Sequence, residues 1–385
     1  MYTIDTEKLP ILVWAEKSEL EGFEEAIAQA KNLANHPLAR QHVALMPDFH
    51  VGYGMPIGGV FATKGGVVPN AVGVDIGCGM IATRTDIEAA SLDRETLQLI
   101  RQRIHARVPV GRAHHERAQP LWDGAEIEAP VIARELKAAA KQIGTLGGGN
   151  HFVELQSDEE GKVWFMVHSG SRNIGRQVCD HYDKIARGYM ERLNVELKDQ
   201  DLSFLPDDAP EHDEYIESMW WCCRFAEESR ERMIAAVEDA VRSVVPDGWQ
   251  VVGDLVQTHH NYAALEEHFG EAVLVHRKGA VRAEGRVIIP GSMGTASYIA
   301  EGKAEEASFR TCSHGAGRVM GRKQANRAIS HEEAVKAMEH VAFGIRKGDY
   351  EEMPQAYKDI HQVMANQADL VRPTHVLKPL AVVKG

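Results

Sequence analysis

Residues 72–80 read VGVDIGCGM, and in this stretch an aspartate and a cysteine stand three positions apart on a glycine-rich backbone. Glycine adopts positive φ values and lets other groups approach closely, so the pattern predicts an apolar strand that ends and turns sharply at Asp75. One interpretation is a tight turn with a capping carboxylate and a buried structural thiol. The other is that Asp75 and Cys78 present a carboxylate and a thiolate to a metal ion. The pair by itself leaves both open.

The length and composition of the chain predict a soluble globular protein. Its 385 residues, 44% of them hydrophobic and 26% charged, can form a sizeable core. No apolar run approaches the roughly 20 residues that cross a bilayer, and the N-terminal sequence lacks the pattern of a signal peptide. Five cysteines without regular spacing predict reduced thiols. We therefore expect a cytoplasmic protein with no membrane partner.

Charge and histidine content narrow the classes of function. A net charge of −13 argues against a protein that coats nucleic acid nonspecifically, but it allows a local basic groove. The 19 histidines are unusual, and several lie in glycine-rich or apolar segments where a solvated surface does not explain them. Such a number fits metal chemistry or nucleophilic catalysis, although a single histidine is more often structural.

Helical and strand-like segments alternate along the chain. Helical spacing is found in residues 21–35, much of 86–143, 180–245, 331–342 and 350–369, and glycine turns with β-branched runs in 41–80, 144–177 and 250–320. The motif-bearing loops are scattered from 48 to 318, with helices inserted between them. This interleaving predicts a single α+β domain over residues 1–385, with β-sheets and helices arranged around one central cleft.

Four further stretches share the composition of the DIGCG turn: GGGNHFVE (147–154), FMVHSGSRNIGR (165–176), QTHHNYA (257–263) and CSHGAGRVMGRK (312–323). The glycines of the first can expose backbone N–H groups to an anion. In the second, His168 leaves an apolar strand and is followed by two arginines, Arg172 and Arg176, within reach of a phosphate. In the third, adjacent histidines on an extended segment point to opposite faces, so one of them faces a given site. The fourth places His314 beside a local basic cluster.

Together these residues indicate a metal site. One carboxylate, one thiol and several histidines can hold two divalent ions, because a thiolate can bridge both while imidazoles fill other positions. Residue type does not choose between Mn²⁺ and Zn²⁺. Glycine loops and arginines then suggest a substrate that carries phosphate. The residues alone therefore indicate a metal-dependent enzyme acting on phosphate, without deciding its reaction.

The motifs, taken in order, match a family pattern over essentially the whole chain. It rests on MPDFHVGYG (46–54), AVGVDIGCGM (71–80), GTLGGGNHFVE (144–154), HSGSRNIG (168–175), HHNY (259–262), IIPGSMG (288–294), TCSHGAGR (311–318) and the final VKG. Each motif is modest alone, but in this order they resemble the RtcB-type RNA-splicing ligases. The resemblance implies the RtcB-like fold, with a metal and GTP cleft at its centre.

The resemblance also implies an activity in RNA repair or tRNA splicing. Enzymes of this family join RNA 2′,3′-cyclic phosphate or 3′-phosphate ends to 5′-hydroxyl ends, using GTP and Mn²⁺. Two metal ions are expected, with Zn²⁺ or another divalent ion as the alternative in a preparation. By motif, the metal ligands would be Asp75, Cys78, His151, His168 and His260, with Cys78 bridging. His314 would be the nucleophile that holds GMP before its transfer to the RNA 3′-phosphate.

The remaining site residues follow from the same resemblance. The GTP contacts would be Asn150, His151, Phe152, Val153, Glu154, His260, Asn261, Pro290, Gly291, Ser292, Met293, Ser297, His314, Gly315, Ala316, Gly317, Tyr357 and Lys384. Arg172, Arg176 and Arg322 are the candidates for RNA phosphate contacts. Asp48 and His50 either support the site from behind or contact RNA. The sequence does not show whether an activating protein partner is needed.

Two other classes of function stay open at this stage. A two-metal cyclic phosphodiesterase or phosphatase acting on RNA ends would need the metals and arginines, but not His314 or a guanine pocket. A noncatalytic RNA-binding scaffold fits poorly with the acidic chain and its complete set of candidate ligands. Transfer of label from GTP to the protein would separate these classes.

Overall fold

Two β-sheets form the framework of the protein. The computed structural model describes residues 1–246, 248–345 and 349–385. In this part of the chain the strands are β1 Tyr2–Ile4, β2 Ile11–Val13, β3 Ala39–His50, β4 Ile57–Thr63, β5 Gly66–Val67, β6 Gly79–Glu88, β7 Phe152–Ser157, β8 Lys162–Ser169, β9 Leu205–Pro206, β10 Val251–His259, β11 Asn261–His268, β12 Glu271–Lys278, β13 Ala280–Arg282, β14 Glu284–Ile289, β15 Ser297–Lys303, β16 Thr311–Ser313 and β17 Val371–Lys384.

The strand order brings distant parts of the chain side by side. A six-stranded sheet has the order β1-β2-β3-β4-β12-β11, and a seven-stranded sheet has the order β10-β6-β8-β7-β17-β15-β14. Short pairs join β13 to β16 and β5 to β9. Strand β8, with the sequence KVWFMVHS, is almost entirely buried, as expected for a β-branched and aromatic strand in the middle of a sheet.

The helices pack on these sheets. They are α1 Glu24–Ala34, α2 Pro69–Val72, α3 Arg94–Arg107, α4 Pro130–Gln142, α5 Arg172–Leu193, α6 Pro210–Arg242, α7 Arg322–Ala328, α8 His331–Ala337 and α9 Ile360–Asn366. Proline at the first turn of α6 suits a helix start, and Asn194 in the left-handed conformation ends α5. None of the described helices is long and apolar enough to cross a membrane.

The long helix α6 connects two regions of the core. Its first half packs with α4 and α5, where Tyr182, Phe225 and Met219 are fully buried. Its second half packs with α3 and the seven-stranded sheet through Met233 and Val237. The helix therefore lies directly behind the strands that carry the site motifs. The α+β prediction is confirmed.

The segment that contains VGVDIGCGM (72–80) folds differently from the predicted strand and turn. Residues 69–72 form the short helix α2 rather than a strand, and β6 begins after the turn, at Gly79. Pro69 favours the first turn of a helix, and Gly73 ends it with a φ of +91°. The prediction of a strand ending at Asp75 is therefore wrong, although the sharp turn is confirmed.

Two predicted helices near the C-terminus are also too long. Of residues 331–342 only His331–Ala337 is α-helical, and of residues 350–369 only Ile360–Asn366. The intervening segment contains short 3₁₀ turns at Asp349–Glu352 and Pro354–Ala356. Proline restricts the residue before it to extended conformations and removes an N–H, so a continuous helix cannot pass residue 354.

We predict that Gly77→Ala destabilises the protein, because Gly77 has a φ of +70° and an added Cβ would lie 2.7 Å from the Cα of Cys223. Positive φ and overlap with backbone should together lower the free energy of unfolding by about 3 kcal/mol. The measurement is urea unfolding of the metal-free protein. Gly188→Ala in α5 is the control, because an added Cβ there meets nothing within 4 Å. Equal urea midpoints for the two variants would contradict the prediction.

Candidate active site

The Sγ atom of Cys78 lies at the centre of a cluster of donor atoms. It is 3.4 Å from Nε2 of His151 and 3.3 Å from Nε2 of His168. Nε2 of His260 lies 3.4 Å from that of His168, and an Asp75 oxygen lies 3.0 Å from Nε2 of His151. The donors form two groups, Cys78–His168–His260 and Asp75–Cys78–His151, each within 4.8 Å. Cys78 is the residue that both groups share.

Sheet register places these donors together. Gly79 at the start of β6 pairs with Ser169 at the end of β8 and with His259 at the end of β10. Phe152 at the start of β7 pairs with His168 of β8. The ends of four adjacent strands therefore carry the five candidate ligands. As predicted from alternation, only one of the adjacent histidines, His260, faces the cluster.

The hydrogen bonds of the histidines leave lone pairs pointing into the cluster. Nδ1 of His151 lies 2.9 Å from the Leu146 carbonyl oxygen, and Nδ1 of His168 lies 3.2 Å from that of Asn150. A carbonyl only accepts, so each Nδ1 donates and each Nε2 points at Cys78, with Nε2 of His151 also facing the Asp75 oxygen. When the rings are neutral, their Nε2 lone pairs face the sulfur and the carboxylate, and a cation between these groups removes the repulsion. The donor set therefore fits divalent metal ions.

Burial keeps the imidazoles of His168 and His260 in the protonation state that a metal requires. It lowers the pKa of His168 and of His260 well below the ordinary value, and neighbouring histidines add to the effect. Burial and the Asp75 carboxylate raise the pKa of the Cys78 thiol. A bound cation would reverse this and favour the thiolate, so metal binding at this site is expected to release a proton.

His314 lies beside the metal cluster and is held by Asp48. An oxygen of the fully buried Asp48 lies 2.6 Å from Nδ1 of His314 and accepts from the backbone N–H of His314 at 3.1 Å and of Gly315 at 3.2 Å. Nδ1 therefore donates to the carboxylate, and Nε2 is left with a lone pair. The ring centre of His314 is 4.8 Å from that of His260. This arrangement suits a nucleophilic imidazole.

A cleft opens in front of His314. Its lining contains His50, Ile57, Asn150, Phe152, His168, Pro290, Gly291, Ser292, Met293, His314, Gly315, Ala316, Gly317, Arg318, Arg322, Glu352, Tyr357 and Lys384. Twelve of the residues that the resemblance assigns to GTP are among them: Asn150, Phe152, Pro290, Gly291, Ser292, Met293, His314, Gly315, Ala316, Gly317, Tyr357 and Lys384. His50 lines this cleft through a ring whose Nδ1 donates to the Asp48 carbonyl at 3.0 Å, and burial lowers its pKa to about 4.

The other predicted GTP residues lie outside this lining. His151 and His260 belong to the metal cluster, and Val153 packs in the core beneath the sheet. Asn261 donates to the Asp75 carbonyl at 2.9 Å and so holds the DIGC turn.

Two more predicted GTP residues lie behind the cleft wall. The Ser297 hydroxyl accepts from the backbone N–H of Gly291 at 3.2 Å. Buried Glu154 accepts from the Gln156 side chain at 2.6 Å, and burial raises its pKa to about 8.

Glu352 is a cleft residue that sequence reasoning missed. Its buried carboxylate accepts from the Tyr357 hydroxyl and pairs with Arg318 at 3.2 Å, Lys384 at 3.5 Å and Arg322 at 3.9 Å. One carboxylate therefore gathers three cations on one wall of the cleft. The sequence around Glu352 shows only an acidic pair in DYEEM (349–353), and such pairs usually lie on a solvated surface.

The arginines proposed for RNA contacts occupy different environments. Arg172 begins α5 with a φ of +62° and donates to the Thr145 hydroxyl at 3.1 Å and to the Gly111 carbonyl at 2.9 Å. Arg322 is partly exposed at the cleft. Arg176 lies one turn further along α5, exposed and paired with Asp180 at 3.4 Å. The structure thus brings Arg322 to the cleft and ties Arg172 to the glycine loop before His151.

Comparisons with known proteins agree with this arrangement. A model of the family "tRNA-splicing ligase RtcB" matches residues 29–129 and 122–385. The chain is 39% identical over 406 residues to the "RNA-splicing ligase RtcB1" of an Escherichia coli strain, with 99% of each chain covered. It is 30% identical over 469 residues to the "tRNA-splicing ligase RtcB" of Nanoarchaeum equitans, with 98% of this chain and 95% of the relative covered. The chain belongs to the RtcB family.

We predict that Cys78→Ala loses both metal ions, because both donor groups share this sulfur, whereas Asp75→Ala loses one. Cys78→Ser should not restore them, since a hydroxyl is much harder to deprotonate than a thiol. Metal analysis of the purified, folded variants is the measurement. Cys179→Ala is the control, because this thiol is buried away from the cluster, in the core formed with α5. Full metal content in folded Cys78→Ala would contradict the prediction and show that this cysteine has a packing role.

Proposed function

We propose that this protein is an RNA ligase that joins 3′-phosphate or 2′,3′-cyclic phosphate ends to 5′-hydroxyl ends with GTP, in RNA repair or tRNA splicing. The proposal rests on family membership and on one observation of the site. His314 is fixed by the buried Asp48 carboxylate at 2.6 Å, and its ring packs against a candidate metal ligand, His260. A candidate nucleophile and a candidate metal-binding cluster thus share one cleft. We further propose that residues 1–385 act as one catalytic domain.

The first step would transfer GMP to the enzyme. Nε2 of His314 attacks the α-phosphorus of GTP, an N–P bond forms, and pyrophosphate leaves with the electrons of the broken P–O bond. Asp48 holds the proton on Nδ1 and offsets the positive charge that develops on the ring, as a buried carboxylate does for a catalytic histidine. Two Mn²⁺ ions held by the Cys78 cluster would supply charge stabilisation to the phosphates.

The next two steps would pass GMP to the RNA and join the ends. At a 2′,3′-cyclic end, water would first add its oxygen to phosphorus while the bond to the 2′-oxygen breaks and that oxygen takes up a proton. An oxygen of the RNA 3′-phosphate then displaces His314 from the phosphorus of GMP and produces an RNA 3′-pp-G end. The 5′-hydroxyl oxygen then attacks the 3′-phosphate, GMP leaves, and the hydroxyl proton is released. Arginines and a lysine at the cleft suit this chemistry, because a guanidinium binds phosphate oxygens in pairs.

The nucleotide would occupy the cleft in front of His314. Tyr357 offers an aromatic face, already stacked by Arg318 with its guanidinium 4.9 Å from the ring centre. Lys384 and the turn at Ser292 offer polar groups on the same wall. A cytoplasmic location stays a prediction.

A hydrolase without guanylylation is the competing function. A two-metal cyclic phosphodiesterase would use the Cys78 cluster, but it would have no need for a histidine fixed by a buried carboxylate. The His314–Asp48 pair therefore favours the ligase.

We predict a covalent GMP adduct on His314 after incubation with GTP and Mn²⁺. Intact mass and peptide mapping should detect it, His314→Ala should abolish it, and Asp48→Asn should slow its formation on the order of 10²- to 10⁴-fold because Nδ1–H loses its carboxylate. His361→Ala is the control, because this partly exposed histidine bonds Tyr298 instead. No adduct on the wild-type protein, or an adduct that survives His314→Ala, would contradict the proposal.

We also predict that Arg172→Ala, Arg176→Ala and Arg322→Ala weaken RNA binding for all sequences alike. Each lost phosphate contact should lower the slope of log K against log salt by about one. Binding of RNA with 3′-phosphate and 5′-hydroxyl ends, titrated at several salt concentrations, is the measurement. Arg192→Ala is the matched control, at the far end of α5. Unchanged binding in all three variants would make these arginines structural or solvated.

A further inference from the structure

A fully buried arginine lies directly behind the metal cluster. Arg230, on α6, has 0% exposure. Its Nη1 donates to the carbonyl oxygens of Gly77 and Ser169, each at 3.0 Å, and its Nε donates to the Gln257 side chain at 2.9 Å. Its Nη2 lies 3.2 Å from Nδ1 of His259, a nitrogen that also lies 3.1 Å from the Gly77 carbonyl oxygen. One planar guanidinium thus joins helix α6 to strands β8 and β10 and to the turn before β6.

Three of these partners are the chain neighbours of candidate metal ligands. Gly77 precedes Cys78, Ser169 follows His168, and His259 precedes His260. The ligands so reached, Cys78, His168 and His260, are together one of the two donor groups.

The two ligands that belong only to the other donor group are held differently. His151 is fixed by the Leu146 carbonyl, and the carbonyl of Asp75 accepts from Asn261. Within the described part of the chain, no hydrogen bond of Arg230 reaches a residue next to either of them. The contacts of Arg230 therefore favour one metal position, because His168 and His260 belong to that donor group alone, whereas Cys78 is shared by both.

The burial of Arg230 needs an explanation. A buried guanidinium is costly to desolvate unless its donors are satisfied and its charge is offset. It makes no ion pair with a carboxylate among the residues that the structure describes. Burial lowers its pKa to about 10, so it stays charged at neutral pH, and the nearby Cys78 sulfur and Glu227 act in the opposite direction. A neutral core residue would fill this space at lower cost, whereas the planar set of five N–H donors can hold several carbonyls at once.

We propose that Arg230 is a positioning residue for the metal position formed by Cys78, His168 and His260, and that it does not position the Asp75–His151 side. The inference rests on the proposed two-metal centre. The rigid, planar guanidinium of Arg230 fixes the backbone on both sides of the cluster, so that the Cys78 sulfur and the imidazoles of His168 and His260 keep their spacing. Outer hydrogen bonds of this kind typically change metal affinity 10- to 100-fold.

The test is a Mn²⁺ titration of the full chain, with free Mn²⁺ followed by electron paramagnetic resonance. The wild-type protein should bind two ions. Folded Arg230→Met should keep one ion at wild-type affinity and bind the other about 10- to 100-fold more weakly. Arg230→Lys should not restore the affinity for the weakened ion, because an ammonium keeps the charge but cannot replace the planar set of N–H donors of the guanidinium.

Double variants identify the position that is weakened. Arg230→Met combined with His260→Gln should still bind one ion, because both changes affect the same position. Arg230→Met combined with Asp75→Asn should bind none tightly, because the changes affect different positions. Arg232→Met is the matched control, two residues along α6, where the arginine pairs with Glu228 at 3.5 Å on the surface.

A milder variant keeps the test valid if Arg230→Met does not fold. Gln257→Ala removes the acceptor of the Nε–H donor, and Gln257 is only partly buried, so this variant should fold and weaken the same ion to a smaller degree. Thermal unfolding followed by circular dichroism confirms the folded state of each variant before titration.

The outcomes separate this inference from the proposed function. A wild-type protein that does not bind two ions would overturn the two-metal centre itself. If the wild-type protein binds two ions, the role of Arg230 is overturned by any of three results in folded variants. The first is that both Arg230→Met and Gln257→Ala bind two ions at wild-type affinity. The second is that these variants bind both ions equally weakly, and the third is that Arg230→Lys binds both ions as tightly as the wild-type protein.

Discussion

The site depends on one constraint, which is the register of four adjacent strand ends around the sulfur of Cys78. Because β6 pairs with both β8 and β10, and β8 pairs with β7, the sulfur comes within 3.4 Å of the imidazoles of His151 and His168. A shift of one residue in any of these pairings would turn a ligand to the other face of the sheet. The cluster is therefore as well defined as the sheet that carries it.

Holding so many polar groups in a buried place requires a supporting set of hydrogen bonds. Backbone carbonyls orient the imidazoles, Asn261 holds the DIGC turn, and Arg230 satisfies carbonyls behind the cluster. Positive φ values at Gly77 and Arg172 occur in the same loops. The positive φ at Arg172 is a strained conformation that persists only where surrounding contacts fix it, and here the Thr145 hydroxyl and the Gly111 carbonyl accept from its side chain.

The proposed nucleophile and the candidate metal ligands come from different parts of the framework. Asp48 is on β3 of the six-stranded sheet, while His314 follows the short strand β16 and the metal ligands lie at the end of the seven-stranded sheet. The aspartate binds the backbone and the side chain of His314, so it fixes the position of the imidazole as well as its tautomer. The cleft between these elements is closed on one wall by Glu352, which keeps three cations in place without exposing their charge fully to solvent.

The sequence by itself determined the residue types of the site, the order of the motifs and the α+β class. These follow from local chemistry: glycine permits the turns, and alternation on an extended segment separates His259 from His260. Tertiary structure alone decided which strand ends meet and that Arg230 and Glu352 belong to the site. Arg230 bonds Gly77 across 153 positions of the chain, and Glu352 gathers cations 30 or more positions away on either side. Such contacts leave no local pattern, because they depend on how the sheets and helices pack.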